Sequence, residues 1–105
     1  MVQVKPLDVD GRQYICVHVA LPKTNLLAIS CEQGYIMCGA LDVRLLNEKL
    51  ANRGIIAGRA VGVRSFEDLL NTPLESVTIE AAKHGIVPAM TGRQALEKMS
   101  AIVRK

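Results

Sequence analysis

The amino-acid sequence predicts a single-domain α+β fold, and three features carry that prediction. Residues 2–38 are rich in β-forming residues cut by tight-turn pairs, residues 42–53 repeat apolar residues at helical spacing, and two later stretches open with helix-start signals. The arrangement expected is an N-terminal antiparallel meander, then a helix, a buried strand and C-terminal helices. Residues 1–38 are read as mainly β, residues 39–105 as mixed helix and strand.

Val2 to Val9 reads as a strand, with Pro6 tolerable at an edge or bulge. Asp10-Gly11 suits a two-residue type I′ hairpin turn, because both positions accept positive φ. Tyr14 to Leu21 then alternates. Ile15, Val17, Val19 and Leu21 form a wholly apolar side, and Tyr14, Cys16, His18 and Ala20 form a mixed side, as expected of a sheet face covered incompletely or by a partner subunit. Pro22-Lys23-Thr24-Asn25 breaks the run, and Leu26 to Cys31 is a third strand. Glu32-Gln33-Gly34 reads as a three-residue loop leading to a fourth strand, Tyr35 to Cys38.

Asp42 can cap the first helix by accepting a free N–H of its first turn. Val43, Leu46 and Leu50 share one face, Arg44, Glu48, Lys49 and Arg53 the other, and Gly54 suits the position after the helix end. Ile55 to Val63 is too apolar to alternate and is expected to be a buried, central strand. A strand–helix–strand unit of this kind favours a parallel or mixed pairing. Ser65 opens a short helical turn through Phe66, Leu69 and Leu70. Thr72-Pro73-Leu74-Glu75 has a capping-box pattern with Pro at the first helical position, predicting a helix with Leu74, Val77, Thr78 and Ala81 inward and Gly85 as its stop. Ile86 to Met90 is an extended link. Thr91-Gly92-Arg93-Gln94 is a second capping box, starting a helix with Leu96, Met99 and Val103 inward.

Composition narrows the partners. Half of the 105 residues are hydrophobic, yet there is no Trp, one Phe and two Tyr, so the apolar content is aliphatic and exceeds what one small core absorbs. Part of it is expected to face other copies of the chain. The net charge is +3, with Lys and Arg scattered rather than clustered. Together with three aromatics, this argues against nucleic acid as a partner. No stretch approaches the ~18 apolar residues of a membrane span. Three cysteines and no secretory pattern at MVQVKPLDV predict a reduced, cytoplasmic protein.

Candidate chemistry centres on Gly34 to Arg64. Cys38 lies between a strand and a helix start, where unpaired N–H groups and the helix dipole favour a thiolate, and Gly39 lets a substrate approach the backbone. More simply, cysteine is among the most buried residue types and fills space beside Met37. Gly54, Gly58 and Gly62 recur with Arg59 and Arg64 among them, a combination able to hold an anion. It matches neither a dinucleotide fingerprint nor a P-loop, and the simpler explanation pairs Arg59 with a carboxylate. The candidate site is therefore Cys38 as the catalytic or contact thiol, with Gly39, Asp42, Gly58, Arg59, Gly62 and Arg64 around a small anionic molecule. A Cys31–Cys38 disulfide is not expected. With Cys31 opposite Tyr35, Cys38 falls opposite Ala28, about 10 Å away along the ladder against the ~7 Å limit. Cys16, His18, Cys31, Cys38 and His84 form no short metal-binding pair, so neither a metal nor another cofactor is predicted.

The blocks LPKTN at 21–25, GYIMCGALDV at 34–43, LLNEKL at 45–50, RGIIAGRAVGVRS at 53–65, PLESVT at 73–78 and TGRQALEKM at 91–99 resemble the YunC-like family of uncharacterised bacterial and archaeal proteins. The resemblance implies an α+β domain whose N-terminal β region joins four copies into a tetramer. It implies no activity and no catalytic residues. Two readings of function stand side by side: a small-molecule site near a subunit boundary, or a non-catalytic scaffold or protein-interaction module.

Overall fold

The first hairpin forms where the sequence dictates it. The computed structural model describes residues 2–39, 47–48 and 53–102. Asp10 and Gly11 both take positive φ, 53° and 83°, and join β1 (Val2–Val9) to β2 (Arg12–Leu21) in a two-residue turn. Pro22 and Lys23 make the next turn, with Lys23 at φ 63°, so that β3 (Thr24–Ser30) starts earlier than Leu26. β4 (Tyr35–Met37) follows, then β5 (Ala57–Arg59) and β6 (Ser76–Val77). They form one six-stranded sheet in sequence order, antiparallel except for the parallel β4–β5 pair. A parallel pair needs a crossover on a sheet face. The helix expected after Asp42 lies mostly outside the described residues; Asn47 and Glu48 are helical.

Three helices flank the sheet among the described residues: α1 (Phe66–Asn71), α2 (Ile79–Lys83) and α3 (Gly92–Ser100). Ser65 caps α1 by accepting the N–H of Asp68. Thr91 and Gln94 close the expected capping box of α3 in both directions, at 3.3 and 3.0 Å. Leu96 and Met99 of α3 are fully buried against β2–β4 residues Cys16, Ile29 and Ile36, with Leu69 of α1 and Ile86 completing the core. Val103 lies outside the described residues.

Three local expectations are corrected. The 72–75 segment does not start a helix. The N–H of Leu74 goes to Met90 and that of Glu75 to Arg59, so the backbone joins strands instead, and Thr78 caps the shorter α2. Ile55 to Val63 yields only the three-residue β5, the fifth strand of six, because its pairing with β4 and β6 spans no more. The β3–β4 register is shifted by one: Ser30, not Cys31, stands opposite Tyr35, and Met37 stands opposite Ala28. The N–H of Cys31 bonds the Gly34 carbonyl at 2.9 Å, closing a four-residue loop, and the N–H of Tyr35 turns to Ile56 at 3.1 Å.

The largest difference concerns which side of β2 faces the core. Tyr14 and Cys16, on the mixed side, are buried beneath the helices, and the Tyr14 hydroxyl accepts a hydrogen bond from Ser100 of α3. The wholly apolar side points outward. Directly paired residues share a face, so Val2, Val4 and Pro6 of β1 lie beside Val19, Val17 and Ile15, with Leu26 and Ala28 of β3 across from Val19 and Val17. Val2 and Val4 are 65% and 61% exposed, Ile15 and Leu21 46% and 48%. Towards β4 and β5 the same face closes over, with Ala28 and Ala57 buried.

Candidate functional site

Cys38 extends the end of β4 on the core side of the sheet. Its N–H donates to the Leu27 carbonyl at 3.0 Å, and its sulfur receives the Leu27 N–H at 3.4 Å and faces the Asn25 carbonyl at 3.9 Å. Only 6% of the residue is exposed. The thiol is thus clasped by the β3 backbone rather than presented to solvent. The helix start expected beside it, with Asp42, lies outside the described residues.

The parallel β4–β5 register places Met37 opposite Arg59, and β5–β6 pairing places Arg59 opposite Ser76. Two joins follow from that placement. The Arg59 Nε and Nη2 donate to the Gly39 carbonyl at 3.3 and 3.1 Å, and Nη1 forms an ion pair with the Glu75 carboxylate. The guanidinium therefore stitches the chain leaving β4 to the strand preceding α2, with its side chain 28% and that of Glu75 44% exposed. The Glu75 carboxyl is held below its usual range, chiefly by a hydrogen bond from Ser76; desolvation opposes that bond, and the charge and hydrogen bond of Arg59 each add a smaller downward push.

Of the predicted site residues, Gly39 and Arg59 meet directly, whereas no contact joins either to Arg64. Gly58 points inward. A Cβ there would stand 2.7 Å from the Leu74 Cδ1, so this glycine lets the segment before β6 pack on the strand. Gly62 is exposed, with φ of 76°, and nothing lies within 4 Å of where its side chain would be. Arg64 is exposed at the entrance to α1, where its N–H donates to the Asp68 carboxylate at 3.1 Å. Glu75, which the sequence reading assigned to a helix cap, proves to be the partner of Arg59. The two are 16 positions apart and meet only through the β5–β6 pairing, so no local signal marks the pair.

The remaining reactive side chains are engaged separately. The His18 Nε2 lies 2.8 Å from the Asn25 Oδ1, and its ring meets Phe66 edge-on, with Lys5 over the same Phe66 ring. Burial raises the Cys16 pKa, partly offset by nearby Lys5. His84 faces Glu80 at the end of α2. Among the described residues no three of His, Cys, Asp and Glu come together as metal ligands, and no helix is long and apolar enough to cross a membrane. All three cysteines are free.

Comparison with known proteins agrees with this architecture. The chain is 58% identical over 99 residues to "Uncharacterized protein YunC" of Bacillus subtilis (strain 168), covering 94% of this chain and 98% of that protein. Its fold matches the "Crystal Structure of a Protein of Unknown Function TA1206 from Thermoplasma acidophilum" with a TM-score of 0.83 and 31% identity, over 94% of this chain and 93% of that one. The family described as "Domain of unknown function (DUF1805)" matches residues 37–99. The chain belongs to this DUF1805 family, whose matched members carry no assigned function.

Proposed function

We propose that the protein acts as a homo-oligomeric, non-catalytic module, a tetramer assembled through the outer faces of its N-terminal strands in the reducing cytoplasm. One observation carries the reading: the alternation of β1–β3 runs opposite to that of a monomer. A sheet with one solvated face normally turns its polar residues to water. Here Val2, Val4, Ile15, Val17, Val19, Leu21 and Leu26 share the outer face, whereas Lys5 and His18 lie on the inner one. Three strands of about eight residues give this face a footprint of roughly 400 Å², comparable to the ~300–600 Å² of the largest apolar patch on a typical monomer, which is often functional. A stable interface takes ~800 Å² per partner, so the assembly extends onto flanking surface. Free cysteines fit the reducing setting.

Sedimentation equilibrium of the wild type against Val17→Lys and Val4→Lys tests the proposal. Tetrameric wild type and dissociated, folded lysine variants are expected. A monomeric wild type, or variants of unchanged mass, would contradict it.

A small anion held by Arg59 is the second reading, favoured by the exposure of both Arg59 and its counter-ion Glu75. An exposed ion pair is screened by solvent and only weakly held, so a ligand anion can replace the carboxylate. Saturable phosphate binding lost in Arg59→Gln is the expected result; binding unchanged in that variant would remove the reading. Cys38 adds little to either, since its sulfur faces backbone groups within the core.

A further inference from the structure

Away from the sheet face and from Arg59, α3 borders a groove with the composition of a ligand site. Gln94, Glu97, Lys98 and Ala101 recur at helical spacing and form one wall. Val87 and Met90, from the loop before α3, form the other, and Arg12 closes one end from the start of β2. The hollow is about 570 Å³, within the ~300–1,000 Å³ usual for small-molecule sites.

The loop that shapes it is fixed in place. Leu74 donates to the Met90 carbonyl at 2.8 Å, Ala89 donates to the Leu74 carbonyl at 2.9 Å, and Pro73 bridges to Thr91. Ala89 accepts a φ of 76° to make these bonds. Such bracing keeps Val87, 46% exposed, standing over the groove instead of collapsing into it. A preformed apolar hollow spares its ligand the cost of ordering the loop.

Charge selects the occupant. Arg12 donates one N–H of Nη1 to the Glu97 backbone carbonyl at 2.9 Å, which orients the guanidinium and leaves most of its five donors unused. Among the described residues neither Arg12 nor Lys98 has a carboxylate in ion-pair range. The neighbouring Arg93 is matched by Asp10 at 3.3 Å. The groove therefore carries two unmatched cations against one carboxylate, Glu97, over an apolar floor. From this juxtaposition we infer that the groove binds a small monocarboxylate with an apolar body, its carboxylate forked on Arg12 and its chain lying along Val87, Met90 and Ala101. A planar guanidinium suits a carboxylate because both oxygens can be bonded at once.

Titration of the 105-residue chain with sodium octanoate, followed by amide NMR, tests this, with acetate and 1-octanol as the two controls. Saturable shifts confined to Val87, Glu97, Lys98 and Ala101 are expected. Acetate and octanol are expected to bind about tenfold or more weakly, each lacking one half of the recognition. Arg12→Gln should weaken octanoate by a similar factor. Ala101→Phe, an exposed substitution that fills the groove and leaves Arg12 intact, should abolish binding even if the Arg12 variant is poorly folded. No saturation by ~10 mM octanoate, shifts centred on Val4 and Val17, octanol binding as well as octanoate, or unchanged affinity in Ala101→Phe would each overturn the inference.

Discussion

Thr78 offers the sharpest quantitative test of how the β5–β6–α2 region is held. It is 2% exposed, the buried polar residue of the described core. Its hydroxyl oxygen accepts the N–H of Ala57 at 3.1 Å and of Ala81 at 3.2 Å, and the hydroxyl donates to the Ile55 carbonyl at 2.7 Å. Thr78→Val keeps the shape and removes all three bonds. Loss of the helix cap costs about 1 kcal/mol, and two further buried backbone groups left without partners cost about 1 kcal/mol each at the low end. The expected loss is about 3 kcal/mol. With an unfolding entropy of ~2.1 cal/mol/K per residue, this lowers Tm by about 14 °C. Thr78→Ser keeps the hydroxyl and loses one methyl, worth about 1 kcal/mol and so ~5 °C. Thermal melts at one fixed protein concentration measure both. A valine variant within ~3 °C of wild type, or one that melts no lower than the serine variant, would refute the three-bond assignment.

Other expectations follow from the same geometry. On the native protein, a thiol reagent should modify half-exposed Cys31 while Cys16 and Cys38 react only after unfolding; a native Cys38 rate within about tenfold of Cys31 would show the β3 clasp to be open. Because the Glu75 pKa is lowered in the folded state, its contribution is present above the ordinary value of 4.5 and is lost as pH falls through the folded value. Glu75→Gln should therefore flatten that acid limb of a denaturation-versus-pH profile, and an unaltered limb would contradict the lowered pKa. Gly58→Ala should destabilise by ~1–3 kcal/mol in urea unfolding, as Leu74 must move aside; a neutral effect would mean that Leu74 has room to turn.

Local chemistry was legible in the sequence, and long-range pairing was not. The Asp10-Gly11 turn, the Ser65 cap and the Thr91–Gln94 box depend on residues within a few positions, and each forms as the sequence suggests. Thr72 to Glu75 carries an equally good helix-start pattern, but the N–H groups of Leu74 and Glu75 are taken by Met90 and Arg59, residues that only the tertiary fold brings near. The β3–β4 register turned on whether Cys31 ends a strand or opens a loop, a one-residue choice that reverses which face it shares. The orientation of β2 was missed for a different reason. An apolar side signals burial, and the alternation does not say whether the chain's own helices or another copy does the burying. At the candidate site, the need of Arg59 for a partner was visible, while Glu75 as that partner depends on a strand pair two residues long.

The orientation of β2 is also where the account is most directly testable. Methyl NMR of the wild-type protein with a soluble paramagnetic agent reports how far each methyl group is from solvent. Ile79 and Val61 serve as exposed references, at 55% and 43% in the single chain. Assembly through the outer sheet face predicts that Val4, Ile15 and Val17 are strongly protected relative to them, although Val4 is 61% exposed in one chain. Val4 and Ile15 methyl groups relaxed as strongly as those of Ile79 and Val61 would leave the apolar face open to water and contradict the assembly.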